Sequence, residues 1–325
     1  DTCTRAKPAL PTPMRIIRDT QFIDPNDRGA AAAIGNFDGV HLGHQAVIDI
    51  ARQVATKENT PLGVMTFEPH PRSYFSRENN PFRLMNAEAK ANRLAKLGVE
   101  KLYEIPFNDA LASLSAKDFA QTIIADQLGL KHVVVGFDFC FGKGRTGTAA
   151  SLQSYGADMG FGVTVVPMLS VGTSEVSSTA IRTALTQGRP KDAADMLGHW
   201  HRLENTVIRG EQRGRELGYP TANMSIDGLH PPKFGVYAVK ITVLDGPHKG
   251  RYDGAASIGV RPMFGENKPN CETFIFDFKG DLYGAPISVA LVAYLRPELK
   301  FDGLDALITQ MDADCVRARE ILANV

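Results

Sequence analysis

The chain carries no excess of charge of either sign, with Lys plus Arg and Asp plus Glu both numbering 36 in 325 residues. Proteins that gather nucleic acid or an acidic membrane non-specifically do so through a net positive field. Neither is expected as a partner here, and small ligands are favoured. Cysteine is scarce: Cys3, Cys140, Cys271 and Cys315 lie far apart, with no Cys-x-x-Cys pair and no Cys/His cluster of zinc spacing. Free thiols in a reducing, cytoplasmic compartment are therefore expected. No apolar stretch approaches the roughly eighteen residues needed to cross a bilayer, and residues 1–13 lack the basic start and apolar run of a secretory signal. Met14 stands just before the first strand-like segment, so residues 1–13 are expected to be an extension without function. Internal repeats and low-complexity segments are missing as well.

What is present is the balance of a globular protein, 43% apolar and 22% charged residues, in a chain longer than one hydrophobic core usually supports. Two domains are expected. In the first half, short apolar runs at 30–34, 62–67, 131–135 and 163–166 read as strands, alternating with helical periodicity at 45–56, 87–97, 116–129 and 152–159. Such alternation implies crossover units, hence a Rossmann-like parallel sheet covered on both faces. After a Gly-Arg-Pro break near residue 188 and a short helical stretch, the pattern changes. Segments 206–209, 235–243, 254–260, 272–278 and 287–295 are β-rich and punctuated by turn residues, which predicts a small antiparallel barrel. Apolar spacing over 304–322 predicts a helix packed on that barrel. The expected class is α/β followed by β, with domains at 14–186 and 187–325.

The strongest local signal is the run from Gly35 to His44, at a strand exit that opens a helix. That is where an open parallel sheet binds ligands, and a helix N-terminus suits phosphate. Gly35 and Gly43 allow close backbone approach, Phe37 and Asp38 lie between them, and His41 and His44, three apart, are expected on one helical face as phosphate donors. Two other readings are open at this stage, polar cap residues or half of a metal site, although no third ligand is visible nearby. The run resembles the HxGH signature of a nucleotidyltransferase superfamily that includes one class of aminoacyl-tRNA synthetases.

Three further stretches fall at a strand exit or helix start: Thr66 to Pro71, Gly136 to Gly142, and Ser177 to Arg182. Hydroxyls, helix-start N–H groups and a guanidinium all suit phosphate oxygens. Taken singly, Pro69 and Pro71 make a rigid turn, Phe137 to Phe141 a hydrophobic plug, and Ser177 to Thr179 an N-cap. Together and in this order they resemble the FMN adenylyltransferase module of bacterial FAD synthetases. The resemblance implies ATP and phosphate contacts at Gly35, Phe37, Asp38, Gly43, Ser177, Ser178, Thr179 and Arg182, and flavin contacts at Phe67, Pro69, His70, Asp138 and Phe139. Cys140 departs from the family, which often has a basic residue there.

The second half holds a glycine-rich stretch containing Gly210, Gly214 and Gly218, followed by Tyr219-Pro220-Thr221-Ala222-Asn223. Thr221 and Asn223 supply neutral oxygens suited to Mg²⁺ and phosphate, and no Walker lysine is present. A glycine-rich loop between strands is otherwise a hairpin connection, and Glu272 in a strand is otherwise a solvated carboxylate. With 234–239, 257–262, Glu272 and Asp281-Leu282-Tyr283-Gly284, the stretch resembles the riboflavin kinase module, with Tyr219 in place of its common Phe. The two resemblances cover residues 14–325 in the order of the bacterial bifunctional enzyme. They imply two reactions, phosphorylation of riboflavin by ATP with Glu272 as base and Thr221 and Asn223 on Mg²⁺-ATP, and adenylylation of FMN to FAD by a second ATP. In the latter, the FMN phosphate is already anionic, no general base is needed, and His41, His44 and Arg182 act electrostatically. Two rivals are a nucleotidyltransferase for another phosphorylated acceptor and a flavin-storing or flavin-sensing protein without turnover. The intact Thr221, Asn223 and Glu272 set argues against the first, and the presence of both histidines against the second. Oligomeric state is not readable from the sequence.

Overall fold

The computed structural model describes residues 13–76, 81–168, 170–171, 174–209, 218–263 and 266–325, with the side chains of 170–171, 174, 261–263 and 266–267 left aside. The chain folds as two compact units. One takes the described residues of 1–37, 43–77 and 91–169, the other those of 38–42, 78–90 and 170–325.

In the first unit lie β1 (Arg15–Ile17), β2 (Ala31–Ile34), β3 (Leu62–Glu68), β4 (Lys101–Pro106), β5 (His132–Gly136), the short ribbon of β6 (Cys140–Phe141) with β7 (Gly147–Thr148), and β8 (Gly162–Val166). Six of these form a parallel sheet in the order β1-β4-β3-β2-β5-β8. All four residues of β2 and the first six of β3 are buried, as expected for strands covered on both faces. The sheet packs its apolar side chains into one core with Phe119, Ile124, Leu128 and Leu152 from flanking helices. At β1 and β4, the buried Asp27 carboxylate meets Lys101 Nζ at 2.6 Å and Arg15 Nη2 at 2.7 Å, which satisfies a charge withdrawn from water.

The sequence located β2, β3, β5 and β8 to within a residue or two, missed the β6–β7 ribbon, and of the outer pair β1 and β4 offered only a strand-like segment after Met14. Charged residues at both strands, Arg15, Lys101 and Glu104, hide their apolar pattern. The segment expected as one helix over 116–129 is a single α-turn, Ala116–Asp118, running into a π-helix, Phe119–Gln127. Helix Ala149–Met159 starts three residues earlier than its apolar period suggests, because Thr148 and Ser151 exchange side-chain and backbone bonds at its N-terminus.

The second unit contains β9 (Ser170–Val171), β10 (Ser174–Glu175), helices Ser178–Thr186 and Pro190–Leu197, then β11 (Arg202–Thr206), β12 (Thr221–Ser225), β13 (Gly235–Val243), β14 (Gly250–Met263), β15 (Glu266–Ile275) and β16 (Pro286–Arg296), and helix Leu304–Leu322. The last six strands form an antiparallel sheet in the order β11-β16-β13-β14-β15-β12. Ile208 N donates to Asn223 O at 2.8 Å, an isolated bridge that draws the chain leaving β11 onto β12 and closes the barrel. Two sequence expectations are corrected here. The strand placed at 206–209 is Arg202–Thr206, because pairing with β16 recruits Arg202, Glu204 and Asn205, whose polarity concealed it. The strand placed at 272–278 starts six residues earlier and ends at Ile275, leaving Phe276 to Phe278 beyond it.

Residues alternate across the barrel wall. Met224, Tyr237, Val239, Ile258, Cys271, Ile287 and Val289 fill the interior. On the outside, Ala318 and Leu322 of the terminal helix pack against Val236, Ala238, Val292 and Leu295, with Trp200, the only tryptophan, against the same cluster. Arg296 fastens the helix by donating Nε and Nη2 to Asp314, the latter bond at 2.8 Å. Among the described residues no helix is long and apolar enough to cross a membrane. Asp314→Ala leaves the largely enclosed guanidinium without its carboxylate, so unfolding in urea is expected to begin earlier by about 2 kcal/mol. An unchanged midpoint would mean that the pair adds nothing to helix docking.

Candidate functional site

In the first unit, β2 runs out at Ile34 into Gly35, Asn36 and Phe37. Gly35 N donates to Met65 O at 3.1 Å, and Thr66 Oγ1 of β3 donates to Asn36 O at 3.1 Å, so the exit is pinned to the neighbouring strand. Phe37 adopts a φ of 51°, in the region non-glycine residues avoid, and is nonetheless buried. Its ring meets His44 edge-on with centroids 5.2 Å apart. At the exit of β3, Phe67 is buried among Phe107 and Phe119, Pro69 is exposed, and His70 caps helix Pro71–Phe75 by accepting from Arg72 N at 3.0 Å. At the exit of β5, Asp138 is exposed and Phe139 stacks on Phe141 at 5.4 Å. Phe67, Phe119, Phe141 and Phe139 thus form a continuous aromatic row beside the strand ends.

In the second unit, Asp38 is almost fully buried and three partners hold it. Its carboxylate accepts from Leu84 N at 2.8 Å and from Arg182 Nη2 at 2.6 Å, and its carbonyl accepts from Ser178 Oγ at 3.0 Å. Arg182 also donates Nε to Phe82 O at 2.5 Å and lies over the Phe82 ring. Ser177 caps the helix that carries Arg182, accepting from Ala180 N, while Thr179 is exposed at its first turn. The next residue, Gly39, takes a φ of +87°, and a Cβ there would meet Leu84 Cδ1 at 2.8 Å. Only glycine fits this turn.

His41 therefore sits differently from the sequence expectation. The helix begins at Leu42, so His41 precedes it and the two histidines do not share a helical face. The positive φ of Gly39 and of Val40 keeps the chain non-helical up to that point. Burial, aided by the Arg182 charge, lowers the His41 pKa to about 4. The ring is neutral at physiological pH and still donates one N–H.

In the barrel, β12 and β15 pair so that Asn223 lies directly opposite Glu272, and Ser257 of β14 opposes Glu272 on its other side. Thr221, Asn223, Asn270 and Glu272 alternate with the interior residues Ala222, Met224 and Cys271, so they share the outer face. Asn223 Nδ2 donates to Thr221 Oγ1 at 3.3 Å and Asn270 Nδ2 to Asn223 Oδ1 at 3.3 Å. Among the described residues, Asn270 Oδ1 is buried without a hydrogen-bond partner. A set of neutral oxygens with one such orphan suits Mg²⁺, which keeps waters and phosphates among its ligands. Among the described residues no group of three or more His, Cys, Asp or Glu could hold a metal ion. Tyr219 packs on Phe274 and hydrogen-bonds Asp312 of the terminal helix, and that bond with the Asp312 charge pushes its pKa up to about 12. Gly218 is exposed, and Gly210 and Gly214 fall outside the described residues.

Sequence reasoning missed Leu84 and Phe82, whose hydrogen bonds to Asp38 and Arg182 come from backbone atoms and leave no side-chain signature. Asn270 was findable, since period-two alternation puts it on the face of Glu272.

A parallel sheet with a histidine-bearing strand exit, followed by a barrel with a carboxylate-amide face, defines a two-module nucleotide-dependent transferase. The FAD synthetase family model matches residues 23–180 and the riboflavin kinase family model residues 197–322. Relatives described as bifunctional riboflavin kinase/FMN adenylyltransferase include one from Pseudomonas fluorescens, 39% identical over 311 residues and covering 95% of this chain and 98% of that one. The Bacillus subtilis relative is 39% identical over 96% of this chain and 98% of its own, and that of Escherichia coli K12 36% identical over 94% and 97%. The chain belongs to the bifunctional riboflavin kinase/FMN adenylyltransferase family. A crystal structure described as a macrolide-efflux protein from Streptococcus pneumoniae matches with a TM-score of 0.78 and 33% identity, over 93% of this chain and 97% of that one. The likeness to it is one of fold and sequence.

The His41 environment sets a pH dependence. Its folded value lies below the ordinary 6.5, so the unfolded chain takes up a proton that the folded chain refuses. Stability is complete above pH 6.5 and declines as pH falls from 6.5 toward 4, by on the order of 2 kcal/mol at pH 5. His41→Gln removes that part, so its urea midpoint changes less between pH 7 and pH 5 than the parent's. An equal change in both proteins would mean that His41 is hydrated.

Proposed function

We propose that residues 187–325 phosphorylate riboflavin to FMN with ATP, and that residues 14–186 adenylylate FMN to FAD with a second ATP, releasing pyrophosphate. The observation that carries the kinase half is the register setting Glu272 opposite Asn223 on one barrel face. Glu272 takes the proton of the ribityl hydroxyl as that oxygen attacks the γ-phosphorus, whose bond to the bridging oxygen breaks to release ADP. Thr221 and Asn223 would hold Mg²⁺, which would neutralise phosphate charge. Gly210, Gly214 and Gly218 contact ATP or its phosphates.

For adenylylation, the FMN phosphate attacks the α-phosphorus and needs no base. His41 and His44 donate N–H groups to phosphate oxygens, and Gly35, Gly43, Ser177, Ser178 and Thr179 also contact ATP or its phosphates. Arg182 has Nε and Nη2 engaged by Phe82 and Asp38, which leaves Nη1 as the group to meet a phosphate oxygen. Asp38 and Phe37 shape the turn. Phe67, Pro69, His70, Asp138 and Phe139 receive the flavin, a role supported by the aromatic row at the strand exits. The substrates are small molecules handled in the cytoplasm, and neither nucleic acid nor a membrane is required.

Incubation of the protein with riboflavin, ATP and Mg²⁺, followed by chromatography, tests both halves. With His41→Ala and His44→Ala together, FAD formation is expected to fall by a hundredfold or more while FMN accumulates. Near-normal FAD formation would remove the phosphate site from residues 35–44. Glu272→Gln keeps the side-chain shape and is expected to slow riboflavin phosphorylation by roughly a hundredfold to ten-thousandfold, with FAD synthesis from added FMN unaffected. Normal phosphorylation would make Glu272 a solvated strand residue. A raised riboflavin KM with an unchanged kcat would make it a binding group alone.

A further inference from the structure

The turn at Asp38–Gly39 has both its carbonyl groups held by side chains from far along the sequence. Ser178 Oγ donates to Asp38 O at 3.0 Å, and His199 Nε2 lies 3.2 Å from Gly39 O. Gly39 is buried and packs where a Cβ would meet both Leu84 and Leu197. Leu197 ends helix Pro190–Leu197, and its successor Gly198 takes a left-handed φ of 72°, which turns the chain so that His199 follows directly. The other ring nitrogen of His199, Nδ1, lies 2.9 Å from Trp200 O; a neutral imidazole has one N–H to give, and the tautomer with its proton on Nε2 is the one that donates to Gly39 O. These contacts all lie within the second compact unit.

A peptide plane carries its C=O and the following N–H on opposite sides. Fixing the Gly39 carbonyl on His199 therefore fixes the direction of the Val40 N–H, and with it the chain one residue before His41. His199 lies beyond the last residue of the FAD synthetase match, at 180, and within the riboflavin kinase match, which starts at 197. We infer that His199 is a positioning residue for adenylyl transfer, supplied by the segment that leads into the kinase barrel, and that it sets the backbone on which His41 is presented. The inference rests on the reading that residues 35–44 bind the ATP phosphates. The His41 and His44 double variant tests that reading separately.

The test uses the full chain, because its two half-reactions control for one another. In His199→Ala, kcat for FAD formation from FMN is expected to fall about tenfold, equivalent to about 1.4 kcal/mol, with KM for FMN unchanged and riboflavin phosphorylation at the parent rate. His199→Gln keeps an N–H donor of similar reach and is expected to recover most of the loss. A parallel fall in both half-reactions would show that His199 only supports folding, and would overturn the inference. So would an unchanged FAD rate in His199→Ala, or a Gln variant as slow as the Ala variant. If the double variant abolishes FAD formation and His199→Ala does not slow it, the phosphate site stands and the positioning role falls.

Discussion

The buried carboxylate of Asp38 is the constraint around which the second unit's non-barrel part is arranged. A charge withdrawn from water must be paired and fully hydrogen-bonded, and Asp38 meets that demand with Arg182 and with the backbone of Leu84. Three segments far apart in sequence are thereby closed onto one oxygen pair. Helix Ser178–Thr186 then has a fixed position, and Ile181, Ala184 and Leu185 can pack against Leu84 and Leu197 in a small apolar core of their own. The same guanidinium that neutralises Asp38 helps to keep His41 uncharged. Burial is the larger cause of that neutrality, and the Arg182 charge adds to it.

The barrel works from a different constraint, the period of two. Filling its interior with Met224, Ile258, Cys271 and Tyr237 obliges the intervening residues to face outward. Strand register alone then brings Thr221, Asn223, Asn270 and Glu272 into a row. Polar groups gathered in this way need no separate scaffold. The terminal helix covers the apolar remainder of that outer surface, and Arg296 with Asp314 keeps it there.

The parallel sheet and the barrel were legible because their strands are apolar runs bounded by turn residues. Arg202–Thr206 was displaced in the reading because four of its five residues, Arg202, Glu204, Asn205 and Thr206, are polar and only pairing with β16 makes it a strand. Thr221–Ser225 read as the end of a glycine-rich loop for the same reason. The histidine motif was visible as a string, yet its local conformation was not, since the left-handed turn at Gly39 and Val40 depends on packing with Leu84 and Leu197. Contacts such as His199 with Gly39 span 160 positions, and no local pattern announces them.

Trp200 stands between His199 and His201 and packs in the apolar cluster shared by the barrel wall and the terminal helix. Being the only indole in the chain, it makes intrinsic fluorescence a single-site signal. Release of the terminal helix would expose that ring to water and shift its emission to longer wavelength, even while the barrel interior stayed closed. Emission and far-ultraviolet circular dichroism would then fail to coincide, which distinguishes helix undocking from global unfolding without any introduced label.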